Sequence, residues 1–295
     1  MLDVRPSGRT LGATVTGIDL AQPLDEAHRR EILVALGQYG VLCFPKQNPD
    51  PAALKAFSER FGTLEVNVAG KYQEPGLPEV MILSNIVENG QPIGLADAGQ
   101  DWHTDMSYSS TIAFLNVLHA IKVPRRDGRV LGSTHFCNMH AAYEGLPDEL
   151  KTKLEGRTAT HDFNKFWEMM RQRGGNRAPL TPEQRRAKPP VSHPIFLTHP
   201  ITGTKVLYAN PGYAVKIDDM DPAESEQILD FLFRHQTRPE YQYSHEWTEG
   251  DVLVWDDIGT IHNAIPDYRP DEPRLIKRCQ VAADRIFEEG PALAA

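Results

Sequence analysis

Two periods alternate along the chain. Residues 24–39 set Ile32, Leu33 and Leu36 about one turn apart, and residues 50–61 set Leu54, Phe57 and Phe61 on one side. Both stretches predict amphipathic helices. Between them VLCFP, at 41–45, is a short apolar run ended by proline and predicts a buried strand. RTLGATVTGIDL, at 9–20, predicts strand, turn and strand. From residue 79 the chain turns strand-rich: EVMILSNIV, KVLYANPGYAVKI, DVLVWDDIGTIHNAI and RLIKRCQVAAD all read as extended, the middle two with turn residues inside them. THFCNM, at 134–139, predicts a short strand before a helix opening near 138–143. Residues 111–123 are apolar throughout, so periodicity does not choose between strand and helix there. Many short strands joined by polar turns predict a sandwich or jelly roll.

One stretch departs from this pattern. Residues 163–190 are charged, contain Gly174 and Gly175 and end Lys188-Pro189-Pro190. An excursion of that length inside a β domain predicts a mobile lid. The 295 residues, 40% hydrophobic and 24% charged, suit one domain with a sizeable core. A net charge of −9 argues against a nucleic-acid partner and a polybasic membrane anchor, while leaving room for a local cationic pocket. Cys43, Cys137 and Cys279 are too few and too scattered for a disulfide framework. The opening MLDVRPSGRT carries no apolar signal segment, and no apolar run approaches the ~20 residues that cross a bilayer. The expectation is a cytoplasmic protein without a membrane partner.

The candidate chemistry lies in Asp101-Trp102-His103-Thr104-Asp105. On a strand, His103 and Asp105 would point to one face and could reach one metal. His262, after the apolar DVLVW and the turn DDIGT, is the candidate third ligand. Two imidazoles and a carboxylate make the facial triad of non-heme iron(II) oxygenases, which leaves coordination positions open. His-x-Asp alone occurs often by chance, as a histidine hydrogen-bonded to a neighbouring acid. Downstream, Arg274, Ile276, Arg278 and Gln280 would share one strand face, with the two arginines about 13 Å apart. Their planar forks suit two carboxylates, although solvated arginines on an edge strand would give the same pattern.

These segments together resemble the taurine and chlorophenoxyacetate dioxygenase family. The resemblance runs through LGATVTGIDLAQPL, FSERFGTL, DWHTDMSY, GSTHFCNMHAAYEGLP, THDF, SHPIFLTHPITGTKVLYAN and GDVLVWDDIGTIHNAIPDY to RLIKR, nearly the whole chain. It implies a mainly β single domain over 1–295, a double-stranded β-helix (jelly roll) flanked by helices. It implies Fe(II) on His103, Asp105 and His262, with 2-oxoglutarate and O2 as cosubstrates. The distal carboxylate of 2-oxoglutarate would lie on Arg274 and the Thr134 hydroxyl. Arg278 resembles the arginine that takes the acidic group of the primary substrate, and Phe163 and Tyr213 would line its pocket. The implied partner is a small organic anion, in a homodimer or homotetramer.

The departures are specific. Leu131-Gly132-Ser133-Thr134 replaces Gly-Gly-Asp-Thr, Asp257 stands where the family has asparagine after Trp255-Asp256, and Asn67 falls where taurine enzymes carry a sulfonate-binding histidine. The last argues against taurine. Trp255 reads as a core aromatic, and Tyr108 as core or pocket wall. His135, Cys137 and His140 spell a zinc half-site without a second half, and read as structural; so do His161 and His199. Two other functions use the same residues: a hydrolase or isomerase with zinc or manganese, and a non-catalytic jelly-roll binding module.

Overall fold

A computed structural model of the chain describes residues 1–66, 71–173 and 178–289. Asn67 and the Gly174–Gly175 pair lie outside the described residues. An eight-stranded sheet runs in the order Asp3–Pro6, Ala13–Thr16, Val41–Phe44, Val252–Asp256, Ala113–Lys122, Leu275–Ala282, Leu77–Ser84 and Gln73–Glu74. Against it stands a three-stranded sheet with Thr134–Asn138 at its centre, between Gln242–His245 and Thr260–Ala264.

Alternation along the large sheet builds two cores. Leu42, Phe44, Val117, Val252, Val254 and Val281 point outward. They pack against the helices Glu26–Tyr39 and Pro51–Glu59, which bury Ile32, Leu33, Leu36, Leu54 and Phe57 there. Asp25 and Asp50 cap these helices by accepting the backbone N–H three residues on, and Pro51 fills the first position of the second helix. On the inward face Val41, Cys43, Leu118, Trp255 and Ile276 meet Phe136 from the small sheet, closing the jelly roll. Residues of opposite parity on the same strands therefore face either a helix or the interior.

The expected helices at 24–39 and 50–61 appear with shorter bounds, and the apolar stretch 111–123 is a strand, buried on both faces along most of its length. Two expectations need correction. The first hairpin is not within 9–20: Asp3–Pro6 pairs antiparallel with Ala13–Thr16, and residues 7–12 form the turn. Asp3–Pro6 is an edge strand with mostly exposed side chains, so it carries no apolar alternation. Nor does the strand pattern register the 15-residue helix Pro222–Gln236, capped by Asp221 and anchored by Leu229 and Leu232. The excursion at 163–190 holds two helices, Phe163–Gln172 and Pro182–Ala187.

Candidate functional site

His103, Asp105 and His262 converge at one end of the interior, although not as a strand pattern would bring them together. Asp101 and Met106 adopt left-handed backbone conformations (φ 75° and 53°), so the chain turns on both sides of His103. His103 makes an isolated antiparallel bridge to His262, with paired backbone hydrogen bonds of 3.0 and 2.7 Å. Asp105 lies in the following turn. The expected strand across His103 and Asp105 is thus replaced by a single bridge and a turn. The imidazoles meet because their backbones are cross-strand partners.

The donor atoms of the three side chains all lie within 4.8 Å of one another. His103 Nε2 is 3.5 Å from Asp105 Oδ1, and His262 Nε2 is 4.0 Å from Asp105 Oδ2. The Asp101 carbonyl lies 2.8 Å from His103 Nδ1. If that nitrogen carries the proton, the lone pair is on Nε2, toward the carboxylate. Gly212 makes room for this ring, since a Cβ there would come within 2.6 Å of His103 Cβ. Burial pushes His262 well below the usual histidine range, with His103 adding to the effect, which favours the neutral ring a metal requires. Burial works to raise the Asp105 carboxyl, but hydrogen bonding from His103 and the charges of Arg278, His103 and His262 hold it well below the carboxylate range. A buried, ionised carboxylate between two imidazoles is a donor set for a divalent metal such as iron(II).

Behind this cluster stands Asn116, which the sequence reading did not single out. Asn116 Nδ2 donates to Asp105 Oδ2 at 2.9 Å and to Asp257 Oδ2 at 2.7 Å, while the Trp255 indole donates to Asp257 Oδ1 at 3.2 Å. Burial, reinforced by the charges of Asp105 and Asp256, drives the Asp257 carboxyl well up. That direction favours the neutral acid at Asp257, which is closer in shape and charge to the asparagine expected at that position than a carboxylate would be. The signal for Asn116 was its polarity in the middle of an apolar strand. Trp255, read as a core aromatic, is buried as expected and also stacks obliquely 4.9 Å from the His262 ring.

Thr134 is buried, and the Trp247 indole donates to its hydroxyl at 3.0 Å, leaving the hydroxyl proton to be given to another group. Arg274 is 6% exposed and has no acidic partner among the described residues. Its guanidinium lies 5.8 Å from the Tyr268 ring centre, and its Nε faces Gly132. Burial alone works against its charge, and only Tyr268 offsets it. A buried cation without a counter-ion is costly and calls for an anion from outside the chain.

Arg278 reaches Asp105 Oδ2 at 3.3 Å and the Met81 sulfur at 3.3 Å, and its buried Nε has no hydrogen-bond partner. Phe166 from the helix Phe163–Gln172 lies 4.9 Å from the His103 ring, and Tyr213 lies 6.3 Å from it. Tyr213 also touches Tyr108, which packs on Phe163, each pair 4.8 Å between ring centres. His135, Cys137 and His140 do not form a metal-binding group among the described residues. His199 instead pairs with Asp256 at 2.8 Å, and His161 is fully buried.

Residues 3–280 match the family described as Taurine catabolism dioxygenase TauD, TfdA family. Pentalenolactone F synthase of Streptomyces avermitilis is 34% identical, the match covering 93% of this chain and 92% of that protein. The alpha-ketoglutarate-dependent 2,4-dichlorophenoxyacetate dioxygenase of Cupriavidus pinatubonensis is 31% identical over 85% of this chain and 87% of its own length. Among solved structures, AAD-2 in complex with Mn(II) and N-oxalylglycine superposes with a TM-score of 0.78 at 28% identity, covering 96% of this chain and 97% of its own. A taurine dioxygenase from Burkholderia xenovorans gives 0.77 at 28%, covering 96% and 90%.

Proposed function

The chain belongs to the TauD, TfdA dioxygenase family, and from that premise we propose that it is an iron(II)- and 2-oxoglutarate-dependent dioxygenase that hydroxylates a small organic acid. His103, Asp105 and His262 hold the metal in this reading. The observation that carries it is the meeting of their three buried donor atoms within 4.8 Å. Arg274 and Thr134 take the distal carboxylate of 2-oxoglutarate, and the unpaired, buried guanidinium supports that assignment. Iron(II) with 2-oxoglutarate supplies oxygen activation: one oxygen atom enters a substrate C–H bond, the other enters succinate, and carbon dioxide leaves. The protein supplies orientation and keeps out water. Asp101 fixes the His103 ring, and Asn116 orients the Asp105 carboxylate. Arg278, with an unused buried donor beside the triad, holds the acidic group of the substrate. The ring cluster of Tyr108, Phe163, Phe166 and Tyr213 supports an apolar substrate body beside His103. By its place in the sequence Asn67 stands where taurine enzymes carry a histidine, and an amide there counts against a sulfonate.

The test is a panel of aryl- and alkyl-carboxylates assayed for substrate-stimulated succinate release with Fe(II), 2-oxoglutarate and air. Succinate should appear only aerobically and should vanish in His103→Ala, Asp105→Ala and His262→Ala. Substrate turnover that continues without oxygen would make this a hydrolase or isomerase site instead. The reading also expects a cytoplasmic homodimer or homotetramer. Among the described residues no helix is long and apolar enough to cross a membrane, and sedimentation of the purified chain gives the assembly.

A further inference from the structure

Among the described residues a second group of three metal-binding side chains lies close together: Cys43, His245 and Asp251. Three separate elements deliver them. Cys43 points inward from the strand Val41–Phe44, His245 ends the strand Gln242–His245, and Asp251 stands one residue before Val252–Asp256. Their sulfur, nitrogen and oxygen atoms lie within 4.8 Å of one another, and His245, Cys43 and Asp251 are all more than nine-tenths buried.

A hydrogen-bonded polar cluster would explain three such side chains if each atom had its partner. Asp251 is provided for, because its carboxylate accepts the Thr248 N–H at 2.8 Å and the Cys43 thiol lies against it. His245 is not. Its Nε2 is buried and makes no hydrogen bond, although Asp251 Oδ2 is only 3.3 Å away. The spacing is right for contact and the alignment is wrong for donation. Two atoms bound tetrahedrally to one zinc, each about 2.0–2.1 Å from it, lie about 3.3 Å apart. The observed separation of nitrogen and oxygen fits two ligands sharing an ion.

We propose that Cys43, His245 and Asp251 form a second, structural cation site that takes zinc, with a water molecule as fourth ligand. Thiolate, imidazole and carboxylate together suit zinc, whereas the two-imidazole, one-carboxylate set of His103, Asp105 and His262 suits iron(II). Binding replaces the thiol proton of Cys43 by the metal, and that proton leaves to solvent. The ion joins the strand Val41–Phe44 of the large sheet to the small sheet. His245 pairs in register with Thr134, so a filled site also braces the strand beneath that residue.

Cobalt(II) is the probe, because a thiolate ligand gives it a sulfur-to-metal charge-transfer absorption that imidazole and carboxylate ligands do not. The full chain, stripped with chelator and titrated with cobalt(II), should develop that band. Asp105→Ala should keep it, since the first site has no sulfur. Cys43→Ser should abolish it while Cys137 and Cys279 remain, and His245→Gln should weaken cobalt binding at least tenfold with the thiol still in place. One equivalent of zinc should then erase the band. A folded chain that shows no thiolate band at excess cobalt overturns the proposal. So does a band that survives in Cys43→Ser, or one that His245→Gln leaves unchanged in strength and affinity.

Discussion

Asn116 gives both protons of its amide nitrogen to carboxyl groups, one on the metal-facing Asp105 and one on Asp257. Replacing it by leucine would leave two buried carboxyl groups without their shared donor. Outer partners of this kind commonly change metal affinity about 10–100-fold. Asn116→Leu is therefore expected to weaken iron(II) binding within that range, read by anaerobic titration, while the triad itself is intact. Asn116→Asp should do worse, adding a third acid to the cluster. The cluster of His103, Asp105 and His262 was legible through the linked motifs of the family resemblance, since His-x-Asp alone occurs often by chance. Asn116, Trp247 and Asp101 were not, since their roles depend on which neighbour they meet across the barrel. Arg274 and Arg278 were legible as a pair on one face, but the strand begins at Leu275 with a register shift before Ile276, so Arg274 stands just ahead of it. Their different surroundings, Tyr268 for one and Asp105 for the other, come from tertiary packing.

Arg274 is held by an element as well as by its own contacts. The loop before its strand is fastened by Glu272, which accepts two hydrogen bonds of 2.6 Å from the Arg126 fork and one of 2.7 Å from the Arg269 backbone. Hydrogen bonding from Arg126, then from Arg269, lowers the Glu272 carboxyl to about 2. A carboxyl depressed on folding adds stability above its unfolded value, about 4.3, and that contribution disappears as pH falls toward about 2. Glu272→Gln should therefore flatten the fall in melting temperature between about pH 4.3 and pH 2. It should also raise the KM for 2-oxoglutarate while leaving kcat nearly unchanged, because the loop positions Arg274 without touching the reacting atoms. A steep acid transition retained in Glu272→Gln would show that another carboxylate carries it. Elements were legible where one face was polar, as in 24–39. In Ala113–Lys122 both faces are buried, so alternation vanishes and the strand cannot be told from a helix by pattern. The two left-handed residues around His103 defeated the strand rule in the same way, since a turn has no period.

Metal and cosubstrate bind only where separate parts of the polymer are already folded together, so their binding should appear in global stability. A ligand at a hundred times its Kd adds about 2.7 kcal/mol to the folded state. For domains somewhat smaller than this one, each kcal/mol moves the melting temperature about 2–4 °C. Manganese(II) with N-oxalylglycine, a 2-oxoglutarate skeleton with an amide NH in place of a methylene, is the inert pair to use. AAD-2, with a TM-score of 0.78 to this chain, was crystallised with both. The expected gain for the wild-type chain is about 5–10 °C for each of the two at a hundred times its Kd. His262→Ala should lose nearly all of it, because the analogue needs the metal to anchor its keto acid end. Arg274→Gln separates the two ligands: the manganese increment should remain, and the additional gain from N-oxalylglycine should shrink. A hydrogen bond to a charged group is worth about 1.5–3 kcal/mol, so the analogue should bind about 10- to 150-fold more weakly to that variant. If Arg274→Gln shows the full additional shift at limiting analogue, the buried guanidinium serves some other anion, and the cosubstrate carboxylate lies elsewhere in the interior.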